Sequence, residues 1–296
     1  MSSTAARVDP DVANKDGSRP AFEPSPFSRT APPDAEWVPG RGLNAHPEAG
    51  RFAFTDQTSF RSVHVGKTKI APAAMYKLML GGIAPRPIAL CGTLSPDGVP
   101  NLAPISWFQM VSHNPPLVMI SFGGDSARRK DSERNLKESG VFCISSSSEP
   151  FVEALNSASV DAPRGVSEFF YSHLTPVLGD VVKAPRVGES PFSMECEVDF
   201  TREWNNAEGQ HTTTMVVGRV KALHMREDCL TPEGTLDPAK TLPVSRMGGL
   251  TYGRSTTGFD LSRPKWEETQ NTPEVQAALK EERWGSSTSK VAESWP

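Results

Sequence analysis

Close cysteine pairs are missing from this chain of 296 residues. Its four cysteines, Cys91, Cys143, Cys196 and Cys229, are scattered, and no CxxC occurs. Zinc frameworks and thioredoxin-type redox motifs need such spacing, so neither is expected. An even count permits two disulfides, but the chain is not the short, cysteine-dense type that depends on them. A basic excess is missing as well. Lys and Arg total 31 against 35 Asp and Glu, a net charge of -4, which argues against a nucleic-acid partner. No run of 18 apolar residues exists to span a bilayer. There is no Asn-X-Ser/Thr sequon, and the first six residues show no basic-then-apolar leader. A soluble, cytoplasmic protein without a membrane partner is expected.

The common catalytic signatures are also lacking. No GxSxG elbow, HExxH pair or GxGxxG fingerprint appears. Val65-Gly66-Lys67-Thr68 looks like the end of a phosphate-binding P-loop, but Arg61 stands where that loop needs glycine. The six histidines are dispersed without metal-ligand spacing. Most of them are expected to be surface or singly hydrogen-bonded residues, and no metal site is expected.

What is present is proline and glycine, 27 and 23 residues, with a hydrophobic content of only 37%. Some of the chain must therefore lie outside a packed core. Residues 1–62 are punctuated by proline, which removes donors and fixes φ, so helix and sheet cannot propagate there. The aromatics Phe27, Trp37 and Phe54 suggest an extended arm that docks in part, with disorder as the alternative. Residues 63–266 carry the ordered patterning, and residues 267–296 form a polar tail with one weak helical stretch over 273–284.

Within the middle segment, an apolar run over 87–94 stops at the turn Ser95-Pro96-Asp97-Gly98 and returns as a strand over 101–107. Residues 117–122 read as a buried strand and 131–139 as a short helix closed by Gly140. A strand follows at 141–145 and a second short helix at 151–158. Two long strands, 194–204 and 212–225, form a hairpin. Many strands, short turns and brief helices imply a mainly antiparallel barrel with helical insertions. The regular helices a Rossmann sheet requires are missing.

Two segments carry chemistry. Arg128-Arg129-Lys130 sits directly before the helix at 131–139, where the macrodipole already places partial positive charge. An anion such as a phosphate would relieve that repulsion, held by the basic groups, free N–H donors and the Ser132 hydroxyl. A solvated basic turn is the plainer reading. In the strand 101–107, Asn101 and Ser106 are polar residues in an apolar setting. Pro104 cannot donate to a sheet ladder, and the small Ala103 leaves room for a flat group against backbone. An ordinary edge strand with a proline bulge is the plainer reading there.

Ile83-Ala84-Pro85-Arg86-Pro87-Ile88-Ala89, Asp97–Phe108 and Asn114-Pro115-Pro116-Leu117-Val118 resemble segments of the flavin reductase-like FMN-binding split-barrel family. Lys130-Asp131-Ser132-Glu133-Arg134-Asn135 is similar to its Lys-Asp-Thr-x-x-Asn element, with serine for threonine. Residues 244–254 are similar to its Arg-Leu-Gly-Gly-x-x-Tyr motif, with Met247 in place of leucine. The likeness spans about residues 63–266, and the fungal-type flavoprotein branch is the subgroup expected. It implies a mainly β fold, a six-stranded antiparallel split barrel with short helical insertions, forming a homodimer. FMN would lie near the subunit interface. Carried over by motif, Arg86, Thr93, Asn101, Ala103, Pro104, Ser106, Ser121 and Phe122 line the flavin. Arg129, Lys130, Ser132 and Asn135 lie nearer its phosphate.

The resemblance implies an FMN-dependent oxidoreductase. The first reading is an NAD(P)H:flavin reductase, passing hydride from NADH or NADPH to flavin and on to free flavin, a partner or oxygen. An oxygenase acting on a small organic substrate and a non-catalytic flavin or heme carrier are the alternatives. Flavin itself carries hydride chemistry, so no acid–base pair is required of the protein. Arg246, Tyr252 and His224 are the weak catalytic candidates, each with a structural role as the plainer reading. Cys91, inside a strand, is expected to be an inert buried thiol.

Overall fold

In the computed structural model, the described residues are 20–55, 57–65, 67, 70–124 and 129–281. Helix α1 (Pro72–Gly82) precedes the hairpin of β1 (Ala89–Leu94) and β2 (Pro100–Ile105). Strands β3 (Phe108–His113) and β4 (Pro116–Gly123) form a second hairpin, and α2 (Asp131–Ser139) leads into β5 (Val141–Ser146). Short helices α3 (Val152–Ser157) and α4 (Glu168–Ser172) follow, and then the long strands β6 (Phe192–Asn205) and β7 (His211–Met225).

These seven strands form one sheet in the order β2-β1-β5-β6-β7-β4-β3, antiparallel throughout. Its two edge strands, β2 and β3, are joined by only Ser106 and Trp107. The sheet must therefore curl until its edges meet, and the Ser121 amide, donating to the Trp107 carbonyl at 2.9 Å, carries the β3–β4 ladder on into that connector. The curled antiparallel sheet with few helices is the fold the sequence implied. The strand beyond the six expected is β3, whose residues Met110 and Val111 are exposed and give no alternating apolar signal.

β1 is buried on both faces, which is why it reads as an unbroken apolar run. Ala89 and Cys91 enter the barrel core with Ile120, Phe142 and Val216. Ile88 and Leu90 point the other way, into a second core beneath Leu155 of α3 and Phe169 of α4. The two-residue period of a strand separates the two sets. Gly92 is needed where the short strand Pro185–Val187 crosses β1, since a Cβ there would stand 1.8 Å from the Pro185 carbonyl oxygen. The turn after β1 is tied by the Ser95 amide to the Val99 carbonyl at 3.0 Å, with Gly98 at φ 80°.

Several expectations hold closely. The helix at 131–139 ends at Gly140 in the left-handed region, φ 74°. The stretch expected as a helix over 151–158 forms a turn of 3₁₀ helix and then α3. The tail helix covers Pro273–Lys280; the end of the expected stretch, including Trp284, lies outside the described residues. α1 has no counterpart in the sequence reading, because its apolar residues follow no amphipathic period and none is buried.

The arm docks on late segments of its own chain. Ser28–Arg29 pairs in parallel with Thr257–Gly258, and the Phe27 ring packs against the bare Cα of Gly258. Arg254 lies 4.8 Å over the Phe22 ring and donates to the Glu23 carbonyl. Trp37 donates to the Gly42 carbonyl at 3.0 Å, whereas Phe54 stacks on Phe60 and stays exposed. No helix of the described residues is long and apolar enough to cross a membrane.

Candidate active site

Strands β1 and β2 are fastened to helix α2 by side chains that belong to the sequence motifs. Asn101 donates its amide to the Ser132 hydroxyl at 2.7 Å, and Asn135 donates to the Thr93 hydroxyl at 3.1 Å. All four are buried. The start of α2 therefore stands against the free edge of the sheet. Beside it opens a cleft of about 750 Å³, a size typical of small-molecule sites. Nine of the expected cofactor residues line it: Asn101, Ala103, Pro104, Ser106, Ser121, Phe122, Arg129, Lys130 and Ser132.

Lys130 is the N-cap of α2, which has no side-chain cap bond, and its half-exposed amine stands 3.7 Å from Asp161. This is an open cationic helix terminus. Arg129 behaves otherwise. It binds Glu203 through two hydrogen bonds of 2.9 and 2.8 Å and also donates to Glu133. Lys137 joins both carboxylates, and Thr214 donates to Glu133 at 2.7 Å. Bonds from Arg129 and Lys137 hold the Glu203 carboxyl down at about 2. Burial pushes Glu133 up, but its bonds from Lys137, Thr214 and Arg129 leave it below the ordinary range. The guanidinium of Arg129 is thus neutralised by protein carboxylates and ties α2 to the β6–β7 hairpin. Repulsion before α2 is weaker than the bare sequence suggests, and Lys130 carries the anion argument. Arg128 lies outside the described residues.

Three expected cofactor residues are not on the cleft wall. Thr93 and Asn135 form the buried bond described above. Arg86 lies beneath the wall, 6% exposed, and its Nε donates to the Ser106 hydroxyl at 3.3 Å. Its other donors meet the carbonyls of Leu80, Ile83 and Met247. These residues shape the site from behind.

The weak catalytic candidates also lie off the cleft wall. Arg246 donates to the carbonyls of Gly249 and Leu250 and lies 4.5 Å over the Tyr252 ring, while the Tyr252 hydroxyl donates to Asn156 at 2.8 Å. Burial raises the Tyr252 hydroxyl above its ordinary range. His224 is 2.6 Å from the fully buried Glu195, which also accepts the amides of Asp180, Val181 and Val182. Against burial, which pushes it up, that cradle holds Glu195 down at about 2. Arg246 and Tyr252 thus pair with each other, and His224 with Glu195, away from the cleft wall. His211 differs from the expected singly bonded histidine, since Nδ1 donates to the Gly124 carbonyl and Nε2 meets the Thr214 hydroxyl.

Among the described residues, two clusters bring potential metal-ligating atoms together, Glu133–Glu203–His211 and Asp180–Glu195–His224. In the first, two cations already neutralise the carboxylates; in the second, backbone amides and His224 occupy Glu195. All four cysteines are free and buried, and burial pushes Cys91 up and Cys143 to about 12. Such thiols are inert.

The cleft also holds residues the sequence reading passed over. Tyr76 of α1 stands against Trp107, ring centroids 6.3 Å apart, and Arg134, Arg164 and Glu168 join Asp131 and Asp161 in the charged lining. The Glu168 carboxylate accepts the Leu102 amide at 3.1 Å, and burial raises its pKa. No local pattern marks these positions, because four separate segments deliver them.

A curled antiparallel sheet with a cleft between its free edge and a helix terminus is the architecture of the flavin reductase-like split-barrel fold. The chain belongs to the flavin reductase-like domain family, whose model matches residues 81–244. An uncharacterised protein of Halalkalibacterium halodurans is 36% identical over 190 residues, covering 64% of this chain and 90% of its own. Among solved structures, component B of a nitrilotriacetate monooxygenase from Bacillus cereus is similar with TM-score 0.65 and 31% identity, over 69% of this chain and 100% of that one. A 2-nitrobenzoate 2-nitroreductase from Pseudomonas fluorescens follows with TM-score 0.60 and 25% identity, over 69% and 98%.

Proposed function

We propose that the protein is an FMN-dependent oxidoreductase of the NAD(P)H:flavin reductase type. The observation that carries this reading is one cleft that combines an apolar strand edge, an aromatic pair and an open cationic helix terminus. From Asn101 to Ser106 the strand runs about 16 Å at 3.3 Å per residue. That length separates the Ser132 and Lys130 end from the Ser106 and Trp107 end. A phosphate at the first suits the helix terminus, and a flat ring at the second suits Ala103, Pro104 and Trp107. Asn101, Ser121 and Phe122 line the space between the barrel and α2.

Bound there, FMN would supply the hydride acceptor, taking two electrons and a proton from a dihydronicotinamide that leaves as its pyridinium cation. The protein's part is to bind the two ends of the cofactor, orient it and present donors to it. Electrons would then go to free flavin, a partner or oxygen. The likeness to a protein described as a monooxygenase component supports a partner that uses reduced flavin.

The same reading includes a homodimer. Tyr76, Leu78, Met79 and Ile83, on and just after α1, are all more than half exposed, and the helix buries none of its residues. A second copy covering this face would also flank the cleft at Tyr76.

The test is the absorption spectrum of the purified protein, followed by anaerobic titration with NADH and with NADPH. Flavin bands that bleach on titration support the reductase. Bands that persist with both donors favour a carrier, and a Soret band redirects the reading to heme.

A further inference from the structure

We propose that Arg86 is a positioning residue that holds the Ser106 hydroxyl as a donor toward the cofactor ring. This rests on the flavin reading above.

The geometry fixes the direction of the bond. Guanidinium has donors only and keeps its proton in proteins. At 3.3 Å the Ser106 oxygen must therefore accept from Arg86 Nε. A serine hydroxyl has one donor and two acceptor sites, so its own proton is left over. Among the described residues, that proton meets no acceptor. Ser106 is half-buried on the cleft wall, and the cleft is where the proton can be used. The amide pairs Asn101–Ser132 and Asn135–Thr93 do not give this certainty, because an amide can be turned over.

Arg86 is also held firmly and left electrically unspent. Nη1 donates to the Leu80 carbonyl and to Ile83 at 2.7 Å, and Nη2 donates to Met247 at 3.0 Å. No carboxylate pairs with it among the described residues. Leu80 and Ile83 lie at the C-terminal end of α1, so the negative pole of that helix compensates the buried cation. A cation compensated by dipoles polarises the serine O–H bond. That donor then binds an acceptor atom of the ring more tightly once reduction has placed negative charge there.

The consequence is a preference for reduced over oxidised flavin. Hydrogen bonds to charged acceptors exceed those to neutral ones by about tenfold in equilibrium terms. For a two-electron couple, tenfold is about 30 mV. The experiment is a redox titration of FMN bound to the full chain in wild type, Ser106→Ala, Ser106→Thr and Arg86→Lys, with the apo-protein melting of each as a control. Ser106→Ala is expected to lose about tenfold of the preference, lowering the potential by about 30 mV, while Ser106→Thr restores it. Arg86→Lys is expected to lower the potential in the Ser106 background and to add nothing in Ser106→Ala. Wild-type potential in Ser106→Ala overturns the proposal even if Arg86→Lys does not fold, because a serine donor without effect leaves Arg86 nothing to position. Wild type that takes up no flavin overturns both this proposal and the flavin reading.

Discussion

Asn101 and Ser132, 31 positions apart, meet through a buried hydrogen bond of 2.7 Å that pins the first turn of α2 to the free edge of the barrel. Ser132→Ala therefore has two effects. FMN affinity falls by about 0.5–1.5 kcal/mol for one neutral partner. The apo-protein also loses about 1–3 kcal/mol, because Asn101 is left buried without its acceptor. Isothermal binding and thermal melting measure the two separately. Weakened binding with unchanged melting would mean that the Asn101 amide finds another acceptor.

Gly92→Ala tests the packing of the two cores. Its Cβ, placed by the Gly92 backbone, would stand 1.8 Å from the Pro185 backbone oxygen, and neither can swing aside. A loss of about 3 kcal/mol or more in urea unfolding is expected. Gly98→Ala, in open space but at φ 80°, should cost less, about 1 kcal/mol.

Acid should unfold the protein through Glu195. Its carboxyl titrates near 2 in the fold against the ordinary 4.5, because three amides and His224 stabilise the charged form. A lowered carboxylate contributes stability above 4.5, and that contribution is lost as pH falls from 4.5 through 2. Glu195→Gln should flatten the melting-temperature profile in that window and lower stability at pH 7. An unchanged acid slope would show that other carboxylates govern it.

Glu168 has the opposite sign. Its pKa is raised by burial, so the folded chain binds the proton more tightly and loses stability as pH rises from 4.5 through the raised value. Glu168→Gln keeps an acceptor for the Leu102 amide and should melt higher than wild type at pH 7, with no gain at pH 4. Equal gains at both pH values would point to packing instead of charge.

Deleting residues 1–60 removes the contacts of Phe27 with Gly258 and of Arg254 with Phe22 and Glu23. A lower melting temperature, or a loosening of the proposed homodimer in sedimentation, is expected. No change in either would show that the docked arm contributes nothing to stability.

The fold was legible where local rules decide it. The unbroken apolar run of β1, the turn at Gly98 and the Gly140 stop of α2 each follow from residues adjacent in sequence. The strand β3 and the helix α1 were not legible, since both expose apolar residues without a period. The motif residues of the cleft were legible through resemblance, but their division of labour was not. Arg129 and Lys130 are neighbours in sequence, yet Glu203, 74 residues beyond Arg129, pairs with Arg129 and not with Lys130. Likewise Arg86 turned out to sit behind the wall, because its partners Leu80, Ile83 and Met247 come from both sides of the motif.

Whether the cleft takes flavin by its phosphate is tested most directly by the affinities of FMN and riboflavin for wild type and Lys130→Ala, measured by fluorescence quenching. Wild type should bind FMN more tightly than riboflavin. Lys130→Ala removes a charge-assisted bond of about 1.5–3 kcal/mol, weakening FMN by about ten- to a hundredfold while leaving riboflavin and apo-protein stability unchanged. Equal affinity of wild type for the two flavins, or an equal loss of both in Lys130→Ala, would contradict the phosphate site at the start of α2.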